Sequence, residues 1–194
     1  AVKNTWPLLV GWTGVGVDAH HHSHGYGWHF FVTGSKFLFS RHAVHLYAAN
    51  PDLQSGPLSF VAVAPLTLTL PPALAEVIGI AVMSALGILL LRQLDTARSG
   101  CTRGKFLVLA LCLVPVWAEV AVRWAHPDDV LALLGATLAL RFLRDERFLP
   151  SALVLALAVD CKPWAVVLLP MLLMAPKRSR WAYIAVCLST VGIV

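Results

Sequence analysis

A chain of 194 residues that is 58% hydrophobic and only 13% charged departs from the composition of a soluble domain, where about a quarter of residues are charged. Its mean hydropathy of +0.75 points instead to an integral membrane protein. The net charge of +5 is small, and the basic residues sit in short clusters between apolar runs, which suits membrane topology and not nucleic-acid binding.

Residues 6–17 are apolar but broken by Pro7 and by glycines, with Lys3 the only basic residue ahead of them, so no cleavable signal peptide is expected. "GWTGVG" (Gly11–Gly16) has no flanking strand and helix and is set aside as a phosphate loop. Residues 18–57 read as an external polar loop carrying short interfacial helices. Apolar helices are then predicted at 58–70, 73–91, 106–124, 129–143, 148–160, 163–175 and 181–194. Pro71 and Pro72 separate the first two, because proline cannot donate a backbone hydrogen bond and clashes with the preceding turn. Residues 58–70 thus form a re-entrant or interfacial helix, leaving about six membrane helices in 58–194. The expected fold is an all-α polytopic transmembrane bundle, one domain over residues 1–194. A start at Ala1 and an end inside an apolar stretch suggest a piece of a longer protein. The four cysteines form no CxxC pair, which speaks against a disulfide framework or a zinc ribbon.

Arg92, Arg98, Arg103 and Lys105, then Arg141, Arg144 and Arg147, then Lys177, Arg178 and Arg180, fall on alternating loops of one side. An excess of basic residues marks the cytoplasmic side. The other, external face receives 18–52 and the bends at 126–129 and 160–162. It carries Asp18, Asp52, Asp128, Asp129 and Asp160, five of the ten acids. Ionisable groups at the hydrocarbon boundary are costly and tend to mark function, so one external polar site is expected there.

Three stretches could build it. "DAHHHSHGYGWHFF" (Asp18–Phe31) puts a carboxylate and four histidines within seven residues. His20, His22 and His24 could hold a divalent cation if the segment is a loop, or belong to an exposed histidine-rich tract; Asp18 is a candidate catalytic base. "AHPDDV" (Ala125–Val130) opens an apolar helix. Asp128 or Asp129 can cap it, while the other can orient a hydroxylated substrate or hold a metal. "DCKPW" (Asp160–Trp164) places Pro163 in a first helical turn and Lys162 at the positive helix end, an arrangement that serves an anion such as a phosphate. Lys162 could also snorkel or pair with Asp160. Glu119 and Arg123, four apart, read as an ion pair within one helix.

The run "HFFVTGSKFLFSRHAVHLYAANPDLQSGPLSFVAVAPL", followed by "HPDDVLALLGATLALRFL" and "AVDCKPWAVVLLP", resembles the membrane glycosyltransferases of family 87, members of the polytopic GT-C superfamily. The similar parts run from Tyr26 to Pro176. The resemblance implies transfer of a sugar, mannose-like or a pentose, from a polyprenyl-phosphate donor to a lipid or glycan acceptor on the external face of the plasma membrane. It also implies a catalytic carboxylate just before an aromatic pair like Phe30–Phe31. Tyr26, Gly27 and Trp28 stand there instead, and the nearest acid is Asp18. His126, Asp128, Asp129, Asp160 and Lys162 would then bind substrate. The rival readings are a transporter or channel subunit with a histidine-rich external loop, and a non-catalytic member of the transferase family. No nucleic-acid partner is expected.

Overall fold

The computed structural model describes residues 27–97, 102–177 and 180–193. Among them every regular element is helical, as expected for an all-α chain. Helix α1 spans Trp28–Leu38. A single 3₁₀ turn at Ala43–His45 and the short α2, Leu46–Ala49, lead into α3, Pro57–Thr69. Then follow α4 (Pro72–Ala97), α5 (Arg103–Ala118), α6 (Pro127–Arg144) and α7 (Phe148–Cys161). A 3₁₀ segment over Pro163–Met174 and α8 (Arg180–Ile193) close the described chain.

Prolines set several of these boundaries. Pro57, Pro127 and Pro163 occupy first-turn positions, where a missing N–H costs nothing. Leu70 turns extended (φ −113°, ψ 155°) ahead of Pro71, as residues before proline do, and α4 restarts at Pro72. Within α5, Pro115 removes one helical donor, and a π-helical turn follows at Glu119–Arg123. Arg123 Nη1 pairs there with Glu119 Oε1 at 2.8 Å, the ion pair expected from the sequence.

Within the segment expected to be a polar loop carrying short interfacial helices, residues 28–38 form a helix with a buried face. Trp28 and Phe31 are buried, and they join Phe60, Val63, Met83 and Val130 in one apolar cluster. Helix α1 packs along α3, where buried Ser35 donates its hydroxyl to Phe60 O at 3.0 Å. Against α4, a Cβ at Gly79 would stand 2.4 Å from the Trp28 ring, so only glycine admits that indole.

Helices α6 and α7 form the most intimate pair, an antiparallel hairpin closed by Arg147 N donating to Phe142 O at 2.8 Å. Glu146 adopts φ 57° in that turn. A second cluster gathers Ala139, Ala152, Leu155, Leu172 and Cys187 at the turn end of the hairpin. The 3₁₀ segment therefore runs back alongside α7, and residues 126–129 and 160–162 share the opposite end.

Two helical stretches are long and apolar enough to cross a membrane: Pro72–Asp95, mean hydropathy 2.4, and Arg103–Arg123, mean hydropathy 2.1. The second is the more telling, because only 6% of it is buried against the rest of the protein. Leu107, Val108, Leu111, Val114 and Val116 are all exposed. A soluble protein buries such a helix; one with bare apolar sides calls for an apolar surrounding.

The polar end is held together by a close approach. Gly56 N donates to Cys161 O at 3.0 Å, and a Cβ at Gly56 would fall 1.3 Å from Asp160 O. Gly56→Ala must push the 50–56 segment off the end of α7. We expect a loss of roughly 1–3 kcal/mol or more, read as a fall in melting temperature in detergent. Gly104→Ala, where a Cβ meets nothing within 4 Å, serves as control and should leave melting unchanged or slightly higher. Equal melting of the two variants would contradict the packing described.

Candidate functional site

The site is built where the first turn of α6, the last turn of α7 and the 50–56 segment converge. The chain enters α6 through Ala125, whose φ of 49° is a left-handed conformation uncommon for a residue with a Cβ. Hydrogen bonds hold the turn on both sides: His126 N donates to Val120 O at 3.0 Å, and Gly27 N donates to Trp124 O at 2.8 Å. Helix α1 thereby fixes the site, and the Phe31 ring stands edge-on to His126 with centroids 6.2 Å apart.

His126 is the N-cap residue of α6, and its side chain makes no capping bond. The expectation that Asp128 or Asp129 caps the helix is therefore corrected. Both lie inside the first turn, where a negative charge still suits the helix end, but their carboxylates face other partners. Lys162 Nζ contacts Asp128 Oδ2 at 2.5 Å and Asp129 Oδ2 at 3.5 Å. Ser55 Oγ donates to the same Asp128 Oδ2 at 2.6 Å, and Trp164 Nε1 donates to Asp129 Oδ1 at 2.8 Å. The Asp128 side chain is fully buried, whereas that of Asp129 is 27% exposed.

Asp160 does not pair with Lys162. Its Oδ2 accepts a hydrogen bond from Leu58 N at 2.9 Å, so a carboxylate from the end of α7 caps the start of α3. On its open side Asp160 lines a groove of about 540 Å³ with Tyr47, Gln54, Ser55, Pro163 and Val166. Tyr47 donates its hydroxyl to Ser55 O at 2.8 Å. Ser55 is thus shared: its carbonyl serves the groove wall and its hydroxyl serves Asp128.

Of the residues expected to bind substrate, the fold brings His126, Asp128, Asp129 and Lys162 into direct contact and sets Asp160 beside them on the groove. Asp18, His20, His22 and His24 lie outside the described residues. Ser55 and Trp164 were not foreseen as partners; the only signal for them is that they adjoin Gly56–Pro57 and Lys162–Pro163.

His126 Nδ1 lies 3.5 Å from both Asp128 Oδ1 and Asp129 Oδ2. Those distances are long for hydrogen bonds, so the hold on the ring is chiefly electrostatic. The two carboxylates, Asp128 first and Asp129 second, raise the imidazole from 6.5 to about 9 against the opposing effects of burial and Lys162. Burial would push the Asp128 carboxyl up, but contacts with His126, Lys162 and Ser55 outweigh it and bring the group from 3.8 to about 2. Tyr47 is pushed up to about 12, first by burial and then by the charge of Asp160. With His126 protonated, two anions and two cations balance.

Comparison of the chain with protein-family models, with curated proteins and with solved structures finds no match.

The shifts set a pH window for stability. The imidazolium contribution is fully present below pH 6.5 and fades as the pH rises through about 9; that of Asp128 is present above pH 3.8 and fades as the pH falls through about 2. Melting temperature in detergent should therefore decline between pH 6.5 and 9, and His126→Gln should flatten that limb. Parallel wild-type and variant curves across this range would show that the ring is not held as described.

Proposed function

We propose that this chain is the membrane-embedded part of a glycosyltransferase. In this reading it moves a sugar from a polyprenyl-phosphate donor to a lipid or glycan acceptor on the external face of the plasma membrane, as a multi-pass bundle. The observation that carries the reading is the meeting of Asp128, Asp129, His126 and Lys162 beside a groove whose wall includes Asp160, Ser55, Gln54 and Tyr47. It occurs in a chain that also has two helices of membrane-crossing length. A lipid-linked donor demands such a combination: its polyprenyl tail stays in hydrocarbon, and its phosphate and sugar must be met by polar groups at the helix ends.

The chemistry assigns distinct tasks. The acceptor hydroxyl attacks the anomeric carbon, a carboxylate takes its proton, and the bond to the phosphate oxygen breaks to release polyprenyl phosphate. Asp18, the acid nearest the position where the resemblance implies a carboxylate, is the proton acceptor in this reading. Lys162 has three N–H groups; Asp128 engages one directly, and another can meet a phosphate oxygen. The partly exposed Asp129 and the groove-lining Asp160 are acceptors for sugar hydroxyls. Buried Asp128 positions Lys162.

The test is sugar transfer from a polyprenyl-phosphate donor by the full-length protein in vesicles. Lys162→Ala should raise the KM for donor more than it lowers kcat, because it removes a contact already made in the ground state. Asp18→Asn should lower kcat by about a hundredfold or more while sparing donor binding, as loss of a general base does. Wild-type turnover in Asp18→Asn would remove Asp18 from the mechanism. Failure of the wild-type protein to bind any such donor would overturn the transferase reading itself.

A further inference from the structure

We propose that His126, Asp128 and Asp129 form a binding site for one divalent transition-metal ion of the zinc class, in competition with the Lys162 ammonium. One potential ligand atom from each residue lies within 4.8 Å of the other two. Two edges of that triangle, from His126 Nδ1 to Asp128 Oδ1 and to Asp129 Oδ2, measure 3.5 Å. A tetrahedral ion with ligand bonds of about 2.0–2.2 Å spaces its ligands about 3.3–3.6 Å apart. The ring nitrogen thus already stands at coordination spacing from each oxygen, and at a distance long for a hydrogen bond to either.

An independent observation points to an occupant. Asp128 Oδ1 and His126 Nδ1 are buried, and neither has a hydrogen-bond partner. Asp128 Oδ2, on the same fully buried carboxylate, has two donors, Ser55 and Lys162. Buried polar atoms are seldom left bare, and the bare ones here are those that face one another.

The surrounding contacts complete a coordination shell of familiar logic. The carboxylate oxygens not aimed at the triangle are held by other groups: Asp128 Oδ2 by Ser55 and Lys162, Asp129 Oδ1 by Trp164. Partners of this kind fix ligand orientation in metal sites. One imidazole nitrogen with two carboxylate oxygens selects zinc-like or manganese-like ions over calcium and magnesium, which favour oxygen alone. Three protein ligands leave a fourth position for water or a substrate oxygen. Lys162 opposes the ion, since its ammonium approaches both carboxylates and repels a second cation, and the ion must also displace the proton that the carboxylates hold on His126. An anion that draws the ammonium aside would favour the metal.

The site does not rest on the transferase reading, because metal binding is measured with no donor present. The probe is Zn²⁺ alone, titrated calorimetrically into the full chain in detergent, with His20, His21, His22 and His24 changed to alanine to remove the competing tract. One equivalent is expected, with little binding of Mg²⁺. Asp129→Asn and His126→Ala should each weaken binding by about tenfold or more, and Lys162→Met should tighten it by a similar factor. Co²⁺ offers a readout that needs no change in the cluster: a site occupied as proposed gives the intense visible absorption of a tetrahedral ion. A folded parent chain that binds no zinc, or shows no such cobalt spectrum, would overturn the proposal and leave water as the occupant. Affinities indifferent to Asp129→Asn and His126→Ala would overturn it equally.

Discussion

The contact between Lys162 and Asp128 is the constraint on which the polar end of this molecule depends. Asp128 is fully buried and carries a charge that apolar surroundings penalise. It is tolerable there because an ammonium and a serine hydroxyl both reach its Oδ2. Those two donors come from parts of the chain far from Asp128, so the carboxylate ties the 50–56 segment, the start of α6 and the end of α7 into one unit. Once they are tied, the positions of His126, Asp129, Trp164 and Asp160 follow. Removing either member of such a pair leaves the other buried and unmatched, which is where the cost lies.

The site is not buttressed by the hairpin alone. Helix α1 supplies Trp28 and Phe31 to the apolar cluster behind it, and Gly27 hydrogen-bonds the turn that delivers His126. Asp160 caps α3 with its carboxylate and also lines the groove. Structural and chemical roles therefore share side chains here, so stability and function are expected to respond together to substitution. The exposed apolar sides of α5 set the other boundary condition, because they require hydrocarbon or a partner of similar character.

Much of this was legible in the sequence. Apolar run length and proline placement put the helices close to their observed limits: 129–143 was expected and Pro127–Arg144 found, 148–160 expected and Phe148–Cys161 found. The return of Asp160 and Lys162 to the level of Asp129 followed from the short turn between two apolar helices. What composition could not show was α1. Its Trp–His–Phe–Phe start is amphipathic and stands next to a histidine tract, so it reads as part of a polar loop until its partner Phe60 is known. Nor could local pattern separate capping from pairing for Asp128 and Asp129. That choice is decided by Ser55 and Trp164, which lie 73 and 35 residues away along the chain.

The most direct test of the central interaction is a double-mutant cycle on Asp128 and Lys162, read as unfolding free energy in detergent at neutral pH. Asp128→Asn and Lys162→Met should each destabilise by roughly 3–5 kcal/mol, because each strands a buried partner, while the double variant should lose far less than the sum. Additive losses would mean that the two groups do not support one another, and the account of how this end of the protein is organised would fail.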